Sequence, residues 1–250
     1  MIIDIHSHLL PNVDDGSRSL EESIQVIRQA VNDGTTKLII TPHYAPEFNY
    51  ITAAKDLKKA FKKLKTDVKQ AGIQIDLLLG NEILLSKNTD QLLEQKKLLT
   101  LAETNYVLIE FPMNYYSDDF DEYLYNISLS HKIIIAHPER YSFVQENWKF
   151  VERWVSEGYL LQSNGDSLRD RKKAKIIYRL IESGYLYFIA SDSHGYWRPA
   201  TLMKSFKKIE KVFGETVTNL LFYENANILL NGGFIQQMSS CKKRCWGGIL

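Results

Sequence analysis

The chain of 250 residues carries 31 lysines and arginines against 30 aspartates and glutamates, a formal net charge of +1. Because positive and negative charges are almost equal in number, the net charge gives no reason to expect nucleic acid or an anionic membrane as the main partner. With 44% hydrophobic residues the chain can bury a large core, and one domain is the expected organisation.

Two further absences in the sequence favour a cytoplasmic protein. No uncharged apolar stretch reaches the roughly 18 residues of a membrane span, and Asp4 and His6 interrupt any apolar leader at the N-terminus. The only cysteines, Cys241 and Cys245, both lie near the C-terminus, so we expect no disulfide framework. We therefore predict a cytoplasmic location without membrane insertion.

Short apolar runs alternate with amphipathic segments along the chain, which is typical of an α/β fold with a parallel sheet. A helix is predicted to begin after Ser19, because Ser19 and Glu22 have the spacing of a capping box. Seven strands are predicted, at residues 2–5, 37–40, 75–79, 106–109, 133–136, 159–162 and 186–190. Further helices are predicted at residues 53–70, 118–130, 147–157, 169–183, 201–213 and 224–230.

The predicted helix at residues 53–70 is rich in lysine. Leu57, Phe61, Leu64 and Val68 recur at helical spacing on one face, and the lysines occupy the remaining positions. We interpret the lysines as a solvated face, the alternative being a docking surface for an acidic partner.

Metal-binding residue types follow six of the seven predicted strands. In a (β/α) barrel the carboxyl ends of the strands converge on one central bowl, so these side chains are expected to meet. The nine candidates are His6, His8, Asp15, His43, Glu82, Glu110, His137, Asp192 and His194.

The spacing of the candidates supports a shared site. His6 and His8 are two residues apart at a strand end and therefore face the same side of the pleat, and Asp192 and His194 repeat the alternation after the last strand. Nine ligands are too many for one tetrahedral zinc, so two or three cations bridged by carboxylates are expected. Nitrogen and oxygen donors without thiolate suit Mn²⁺, Fe²⁺ or Zn²⁺, and the choice among them stays open.

The motifs around these residues resemble those of a known superfamily. They are Asp4-Ile5-His6-Ser7-His8, Asp14-Asp15-Gly16, Thr41-Pro42-His43, Gly80-Asn81-Glu82, Ile109-Glu110-Phe111-Pro112, Ala136-His137-Pro138-Glu139-Arg140 and Ala190-Ser191-Asp192-Ser193-His194. Together they resemble the PHP superfamily of polymerase and histidinol phosphatase domains. Within it the chain is similar to the manganese-dependent protein-tyrosine phosphatases of bacterial capsule and exopolysaccharide operons, the CpsB/YwqE type. Asp15 is typical of that branch, since many other PHP enzymes have a histidine there.

The resemblance implies a single distorted (β/α)₇ barrel over residues 1–232, and we expect residues 233–250, which lie beyond the resemblance, to form a mobile tail. It also implies three metal ions. The first would be held by His6, His8, Glu82 and Asp192, the second by Glu82, Glu110 and His137, and the third by Asp15, His43 and His194.

The same resemblance implies that Arg140 and Arg198 bind the phosphoryl group of the substrate. A guanidinium can grip two phosphate oxygens at once and stabilise the charge of the transition state. Mn²⁺ is the expected metal, and the expected substrate is a tyrosine-phosphorylated protein, in particular the tyrosine-rich tail of a cognate kinase.

A divalent-metal cluster would attract a phosphomonoester dianion and activate a water molecule, so no covalent phosphoenzyme is needed. The thiol mechanism of other tyrosine phosphatases is excluded, because Gly247 stands where a Cys-x5-Arg loop starting at Cys241 needs arginine. A phenol with a reference pKa near 10 leaves easily, so we assign no general acid.

Aromatic residues and one polar segment near the expected site have two interpretations each. Tyr44, Tyr115, Tyr116 and Trp197 either flank a phosphotyrosine ring or pack within loops. The polar segment at residues 162–168 either contacts substrate or forms an ordinary turn at Asn164-Gly165.

Two alternative functions stay open at this point. One is a PHP phosphoesterase acting on a small metabolite such as histidinol phosphate, and the other is a catalytically silent module that binds phosphoprotein. The basic tail with its two cysteines is interpreted as a mobile terminus or as a docking peptide. For the assembly, a monomer and a homo-oligomer both stay open.

Overall fold

The structure, a computed structural model, describes residues 1–236 and residue 240. Over these residues the chain alternates strands and helices as predicted, and every strand pairing is parallel. The strands are β1 Ile2–Asp4, β2 Thr35–Ile40, β3 His43–Tyr44, β4 Asp76–Leu79, β5 Glu82–Leu84, β6 Tyr106–Glu110, β7 Lys132–Ala136, β8 Leu160–Asn164 and β9 Phe188–Ala190.

The helices connect successive strands and cover the sheets. They are α1 Leu20–Asn32, α2 Ala54–Gln70, α3 Thr89–Glu94, α4 Asp119–Ser128, α5 Ser142–Glu146, α6 Lys149–Ser156, α7 Arg171–Glu182, α8 Met203–Phe213, α9 Glu215–Asn219 and α10 Asn225–Leu230, with a π-helical turn at Leu220–Glu224 between the last two. No helix among the described residues is long and apolar enough to cross a membrane.

The N-terminus of α1 keeps half of the predicted capping box. Ser19 Oγ accepts the Glu22 backbone N–H at 3.2 Å. The Glu22 carboxylate, however, accepts the N–H groups of Arg18 and Tyr196 at 2.7 and 2.8 Å. In α2 the predicted apolar face is buried at Leu57, Leu64 and Val68, and all of the lysines are exposed.

The strands form two sheets, in the orders β1-β2-β4 and β3-β5-β6-β7-β8-β9. Two strands were not predicted: after β2 and after β4 the chain leaves the first sheet for two residues and then forms β3 and β5 in the second sheet, which raises the number of strands from seven to nine. The first interruption contains Pro42, which has no backbone N–H to donate. The second contains Asn81, whose amide donates to Pro42 O at 2.8 Å and whose oxygen accepts Leu99 N–H at 2.9 Å. Asn81 thus fixes both interruptions, and His43 pairs with Glu82 just beyond them.

Backbone contacts also join the chain after β1 to the chain after β9. Ser7 forms a parallel bridge with Ser193, His8 N donates to Ser193 O at 2.7 Å, and Asp192 N donates to His6 O at 2.9 Å. On its other side, Ser7 O accepts Thr41 N–H at 2.7 Å. The first and last strand ends therefore lie side by side.

The largest hydrophobic cluster has an aromatic centre. Trp154 is fully buried, and its ring lies parallel to Phe111 with centroids 5.2 Å apart. Tyr116 packs into this cluster, where its hydroxyl donates to Asp121 at 2.8 Å. For Tyr116, loop packing is therefore correct and flanking a substrate ring is wrong, because its ring already has core partners.

The chain continues to pack against the strands beyond the predicted domain end at residue 232. Ile235 is buried in the cluster that contains Tyr187, and the Tyr106 hydroxyl donates to Gly233 O at 3.0 Å. Cys241 and Cys245 lie outside the described residues.

Trp154→Ala is expected to lower the free energy of unfolding by about 3–5 kcal/mol, because it leaves a cavity at the centre of the aromatic cluster. Urea unfolding measures the change. Tyr125→Ala, on the exposed side of α4, is the matched control and should stay within about 0.5 kcal/mol of the parent. A Trp154→Ala loss no larger than the control would contradict the aromatic cluster as a centre of stability.

Candidate active site

All nine predicted ligands lie together at the carboxyl ends of the strands. Eight of them form three overlapping groups, and in each group the ligand atoms lie within 4.8 Å of one another. The ninth, His137, contacts Glu82 and Glu110, which belong to one of these groups. Most of these side chains are buried, and Asp15 is the exception with a half-exposed carboxylate. The groups are His6, His8, Glu82 and Asp192; His43, Glu82 and Glu110; and His8, Asp15, His43 and His194.

The first group is fully buried. Glu82 Oε2 lies 3.1 Å from His6 Nε2 and 3.2 Å from His8 Nε2, and Asp192 Oδ1 lies 3.4 Å from both nitrogens. The two Nε2 atoms are themselves 3.1 Å apart. Glu82 Oε2 and Asp192 Oδ1 have no hydrogen-bond partner among the described residues.

The hydrogen bonds behind the rings fix which nitrogen of each histidine carries a proton. His6 Nδ1 lies 2.9 Å from Gln162 Oε1, and His8 Nδ1 lies 2.8 Å from Asp14 Oδ2. Both partners are acceptors, so each Nδ1 donates a proton and each Nε2 presents a lone pair when the ring is neutral. Two lone pairs and two anionic oxygens then converge on one point. This donor set fits a divalent cation.

The orientation of Gln162 depends in turn on Asp192. Gln162 Nε2 donates to Asn164 Oδ1 at 3.0 Å, and Asn164 Nδ2 donates to Asp192 Oδ2 at 2.6 Å. In the absence of a bound cation, burial opposes ionisation of Asp192, but the charge of protonated His6, a hydrogen bond from His8 and the Arg198 charge outweigh it and hold its pKa well below the usual range. An ionised carboxylate only accepts hydrogen bonds, so Asn164 must donate to Asp192 and Gln162 must donate to Asn164. The Gln162 oxygen is therefore left to accept the proton of His6 Nδ1.

Asp14 plays the same part for His8 and also fixes the loop after β1. Its carboxylate accepts the N–H groups of His43 at 2.9 Å and Gly16 at 3.0 Å. A side chain at Gly16 has no room, since a Cβ there would lie 2.0 Å from His8 O. Only glycine at this position therefore lets the loop backbone pack directly against the backbone of His8.

The second group lies around Glu82 and Glu110. His137 Nε2 is 2.9 Å from Glu82 Oε1 and 3.5 Å from Glu110 Oε1, and His43 Nδ1 is 3.1 Å from Glu82 Oε2. Burial and the Arg140 charge lower the pKa of His137 to about 4, so its ring is neutral at neutral pH. Burial and the Glu82 carboxylate raise the pKa of Glu110 well above its usual value. The two carboxylates repel each other without a cation between them.

The third group is at the open side of the site. Asp15 Oδ1 lies 3.5 Å from both His43 Nε2 and His194 Nε2. The structure adds His8 to the three residues that the resemblance implied here. His43 borders two groups, because its Nδ1 faces Glu82 and its Nε2 faces Asp15.

Both predicted arginines reach the site, and both bind Asp192. Arg140 Nη1 donates to Asp192 Oδ2 at 2.8 Å, and Arg198 Nη1 donates to the same oxygen and to Asp192 O. His137 and Asp192 themselves have left-handed backbones, with φ of 33° and 50°. Such strained conformations in non-glycine residues are concentrated at functional sites.

A cavity of about 1130 Å³ opens over these groups. Tyr115 and Trp197 line it, as one interpretation of the sequence predicted, whereas Tyr44 packs against the core outside it. Phe48, Tyr50 and Tyr196 also line the cavity and were missed, because nothing in their local sequence distinguishes them from other loop aromatics.

The roles of Asp14, Gln162 and Asn164 were also missed by sequence reasoning. The signal for the two amides was their position at the polar end of an otherwise apolar strand, which we interpreted as substrate contact or a turn. The signal for Asp14 was its place beside Asp15 in the motif.

Comparison with known proteins agrees with the geometry. Residues 2–231 match the family of capsular polysaccharide synthesis proteins CpsB/CapC. The chain belongs to the CpsB/CapC family. It is 32% identical to the tyrosine-protein phosphatase YwqE of Bacillus subtilis, over 92% of this chain and 91% of that protein. It is 29% identical to the tyrosine-protein phosphatase CpsB of Streptococcus agalactiae, over 94% and 100% of the two chains. The resemblance predicted from the motifs is confirmed.

Two solved structures are similar to this chain to different degrees. A chain from the crystal structures of YwqE from Bacillus subtilis and CpsB from Streptococcus pneumoniae, unique metal-dependent tyrosine phosphatases, matches with a TM-score of 0.89 at 29% identity and covers 98% of this chain and 100% of its own. A phosphotriesterase homology protein from Escherichia coli matches with a TM-score of 0.58 at 12% identity, over 91% and 96% of the chains, and shares the fold alone.

Gln162→Leu is expected to weaken binding of a divalent cation about 10–100-fold, because His6 Nδ1 loses its acceptor and the ring loses its fixed orientation. Calorimetric titration of the apo-protein with Mn²⁺ measures the affinity. Gln162→Glu keeps an acceptor for His6 Nδ1 and should retain more affinity, and Gln25→Leu on the exposed side of α1 should have no effect. Equal affinities for Gln162→Leu and Gln25→Leu would contradict the role of the amide chain.

Proposed function

We propose that this chain is a metal-dependent protein-tyrosine phosphatase that acts on a phosphorylated protein in capsule or exopolysaccharide synthesis. The observation that carries the proposal is the convergence of buried histidine lone pairs and unpartnered carboxylate oxygens on Glu82 and Asp192, next to two arginines at the base of an open cavity. Family membership supports it, as do relatives that are named tyrosine-protein phosphatases.

We propose that two or three Mn²⁺ ions bind here, with Fe²⁺ or Zn²⁺ as alternatives. His6, His8, Glu82 and Asp192 would hold one ion, Glu82, Glu110 and His137 the second, and Asp15, His43 and His194 the third. The overlap of the groups at Glu82 supports its role as a bridging ligand. When bound, such cations offset the charge of a phosphoryl group and lower the pKa of water to near neutrality.

Arg140 and Arg198 would orient the phosphoryl group. Each guanidinium has five N–H donors in a planar fork, and the bonds to Asp192 leave further donors for phosphoryl oxygens. Asp192 holds both guanidinium groups at the base of the cavity, so their positions are set before the substrate arrives. Preset donors stabilise the developing charge without the cost of reorganisation.

The leaving group needs little help from the protein. A phenolate has a conjugate-acid pKa of about 10 and departs far more readily than an alkoxide. Hydrolysis of phosphotyrosine therefore does not require a general acid, and we assign none. No cysteine of the chain precedes residue 241, so we propose no thiol nucleophile. A water molecule activated by the cations would serve as the nucleophile, so we propose no covalent phosphoenzyme.

We also propose that the two sheets are parts of one distorted seven-stranded (β/α) barrel, and that residues 1–232, extended by the packed segment up to Ile235, form the phosphatase domain. The bridge between Ser7 and Ser193 supports closure on one side. The backbone bonds from Gly80 N to Ile40 O and from Glu82 N to Pro42 O support continuity across the interruptions on the other.

The remaining proposals concern the surroundings of the protein. We propose a cytoplasmic location and, as the phosphorylated partner, the tyrosine-rich tail of a cognate kinase, which the capsule-synthesis family supports. The role of residues 233–250 and a homo-oligomeric state stay predictions.

Release of phosphate from a phosphotyrosine peptide by the Mn²⁺-loaded protein tests the function. Arg140→Ala should lower kcat by about 10²–10³-fold, as loss of a preset donor does in other enzymes. His6→Ala should remove turnover together with metal binding. The matched controls are His131→Ala, whose ring lies outside the site and contacts Ser130, and the exposed Arg171→Ala, and both should keep parent activity.

Two further substrates decide between this function and its alternatives. The same peptide with phosphoserine, and histidinol phosphate, should be hydrolysed poorly. Turnover of histidinol phosphate alone would place the chain among metabolic phosphoesterases, and bound metal without any turnover would favour a silent binding module.

A further inference from the structure

The cavity over the site is larger than a phosphotyrosine side chain requires. Small-molecule pockets occupy about 300–1,000 Å³, and this cavity reaches about 1130 Å³. Five aromatic residues of its lining, four of them exposed, form what we call the aromatic rim: Phe48, Tyr50, Tyr115, Tyr196 and Trp197. The rim therefore offers surface beyond the phosphoryl group and its ring.

The rim gathers much of the exposed apolar surface of the described residues. Trp197 is 86% exposed, Phe48 65%, Tyr196 58% and Tyr115 52%, and these four are among nine large hydrophobic side chains that are exposed there. They come from three different loops, after β3, β6 and β9, that meet around one opening. Apolar side chains gathered around a polar site are typical of an interaction surface, whereas scattered ones need no explanation.

The loop that carries Tyr196 and Trp197 is held in place by its backbone. Glu22 Oε1 accepts Tyr196 N–H at 2.8 Å, and His194 N donates to Arg198 O at 2.8 Å. Gly195 has φ +68°, and a Cβ there would lie 2.3 Å from Glu22 Oε1. The loop thus presents its two rings to solvent from a fixed backbone, which lowers the entropy cost of binding.

Through Tyr50, the rim is continuous with the proposed metal site. Tyr50 lies nearly parallel to His43, with ring centroids 5.8 Å apart and an interplanar angle of 13°. Phe48 follows Tyr50 outward at 6.4 Å. A row of rings therefore leads from a candidate ligand to the surface.

We propose that the aromatic rim binds the residues on either side of the phosphotyrosine in an extended segment of the substrate protein, with a preference for aromatic and apolar neighbours. This rests on the proposed phosphatase function. With the phosphoryl group at Arg140 and Arg198, the substrate main chain has to leave the cavity across the rim. Ring-on-ring contacts there favour aromatic neighbours. Charge gives little selection, since the other charged residues of the lining, outside the proposed site, are Arg18, Glu47 and Glu22, and the Glu22 carboxylate already accepts the N–H groups of Arg18 and Tyr196.

Steady-state kinetics on three substrates tests the proposal. They are a phosphotyrosine peptide with phenylalanine or tyrosine on both sides, a peptide of equal length with serine and glycine there, and p-nitrophenyl phosphate, which has no flanking residues. The Mn²⁺-loaded parent should prefer the aromatic-flanked peptide. Trp197→Ala should lower kcat/KM on that peptide about ten times more than on p-nitrophenyl phosphate, because one buried aromatic contact changes affinity by about a factor of ten. The change should appear mainly as a higher KM.

Tyr125→Ala is the matched control, because Tyr125 is 57% exposed on α4 and does not line the cavity. This substitution should leave kcat/KM unchanged on all three substrates. Equal losses on all three substrates in Trp197→Ala would overturn the rim as a flank-binding surface and make Trp197 a support for the site. No loss on either peptide, with p-nitrophenyl phosphate still hydrolysed, would also overturn it while leaving the phosphatase function standing. If the parent hydrolysed none of the three substrates, both the proposed phosphatase function and the proposed role of the rim would be contradicted.

Discussion

The carboxylate of Asp192 is the interaction on which the rest of the site depends. Its Oδ1 faces the ring nitrogens of His6 and His8, and its Oδ2 accepts hydrogen bonds from Arg140, Arg198 and Asn164. One side chain therefore links the candidate metal ligands, the phosphoryl-binding arginines and the amides that orient His6. An uncompensated buried charge of this kind is costly, so the positive groups around it are required for the fold as well as for chemistry.

The backbone places Asp192 by joining the two ends of the chain of strands. The bridge between Ser7 and Ser193 sets the ends of β1 and β9 side by side, and the interruptions at Pro42 and Asn81 bring His43 and Glu82 to the same level. These positions rely on backbone bonds, so the ligand side chains need little adjustment when a cation binds. A preset site of this kind binds its ligand at lower entropy cost.

Eight of the nine ligands were predictable because they closely follow apolar runs, and four of these also show the alternation of a strand; Asp15, in the loop after β1, was supported by the Asp14-Asp15-Gly16 motif. The His6-x-His8 and Asp192-x-His194 alternations follow from the pleat, and each lies after an apolar run that is long enough to be recognised as a buried strand. Glu82, Glu110 and His137 were found in the same way. The positions of most strands and of the long helices α1, α2 and α7 were predicted for related reasons, since their periodicity is strong.

Other features depend on contacts between distant residues and left no local pattern. Gln162 and Asn164 act through His6 and Asp192, about 156 and 28 residues away in sequence, and only the folded chain brings them together. Tyr116 and Trp197 look alike as loop aromatics, yet one completes the core around Trp154 and the other stands in solvent. The short segments β3 and β5 were not predicted, because the predicted strands end at residues 40 and 79 and segments of two and three residues are too short to show a strand pattern.

The central claim is that Glu82 and Asp192 hold divalent cations in place for a phosphoryl group. The most direct measurement is anomalous diffraction at the manganese edge from crystals grown with Mn²⁺ and inorganic phosphate. The account predicts a peak between His6, His8, Glu82 and Asp192, a second peak on the other side of Glu82 towards His137, and phosphate density against Arg140 and Arg198. Full-occupancy phosphate without a manganese peak at Glu82, or manganese bound only elsewhere on the protein, would contradict it.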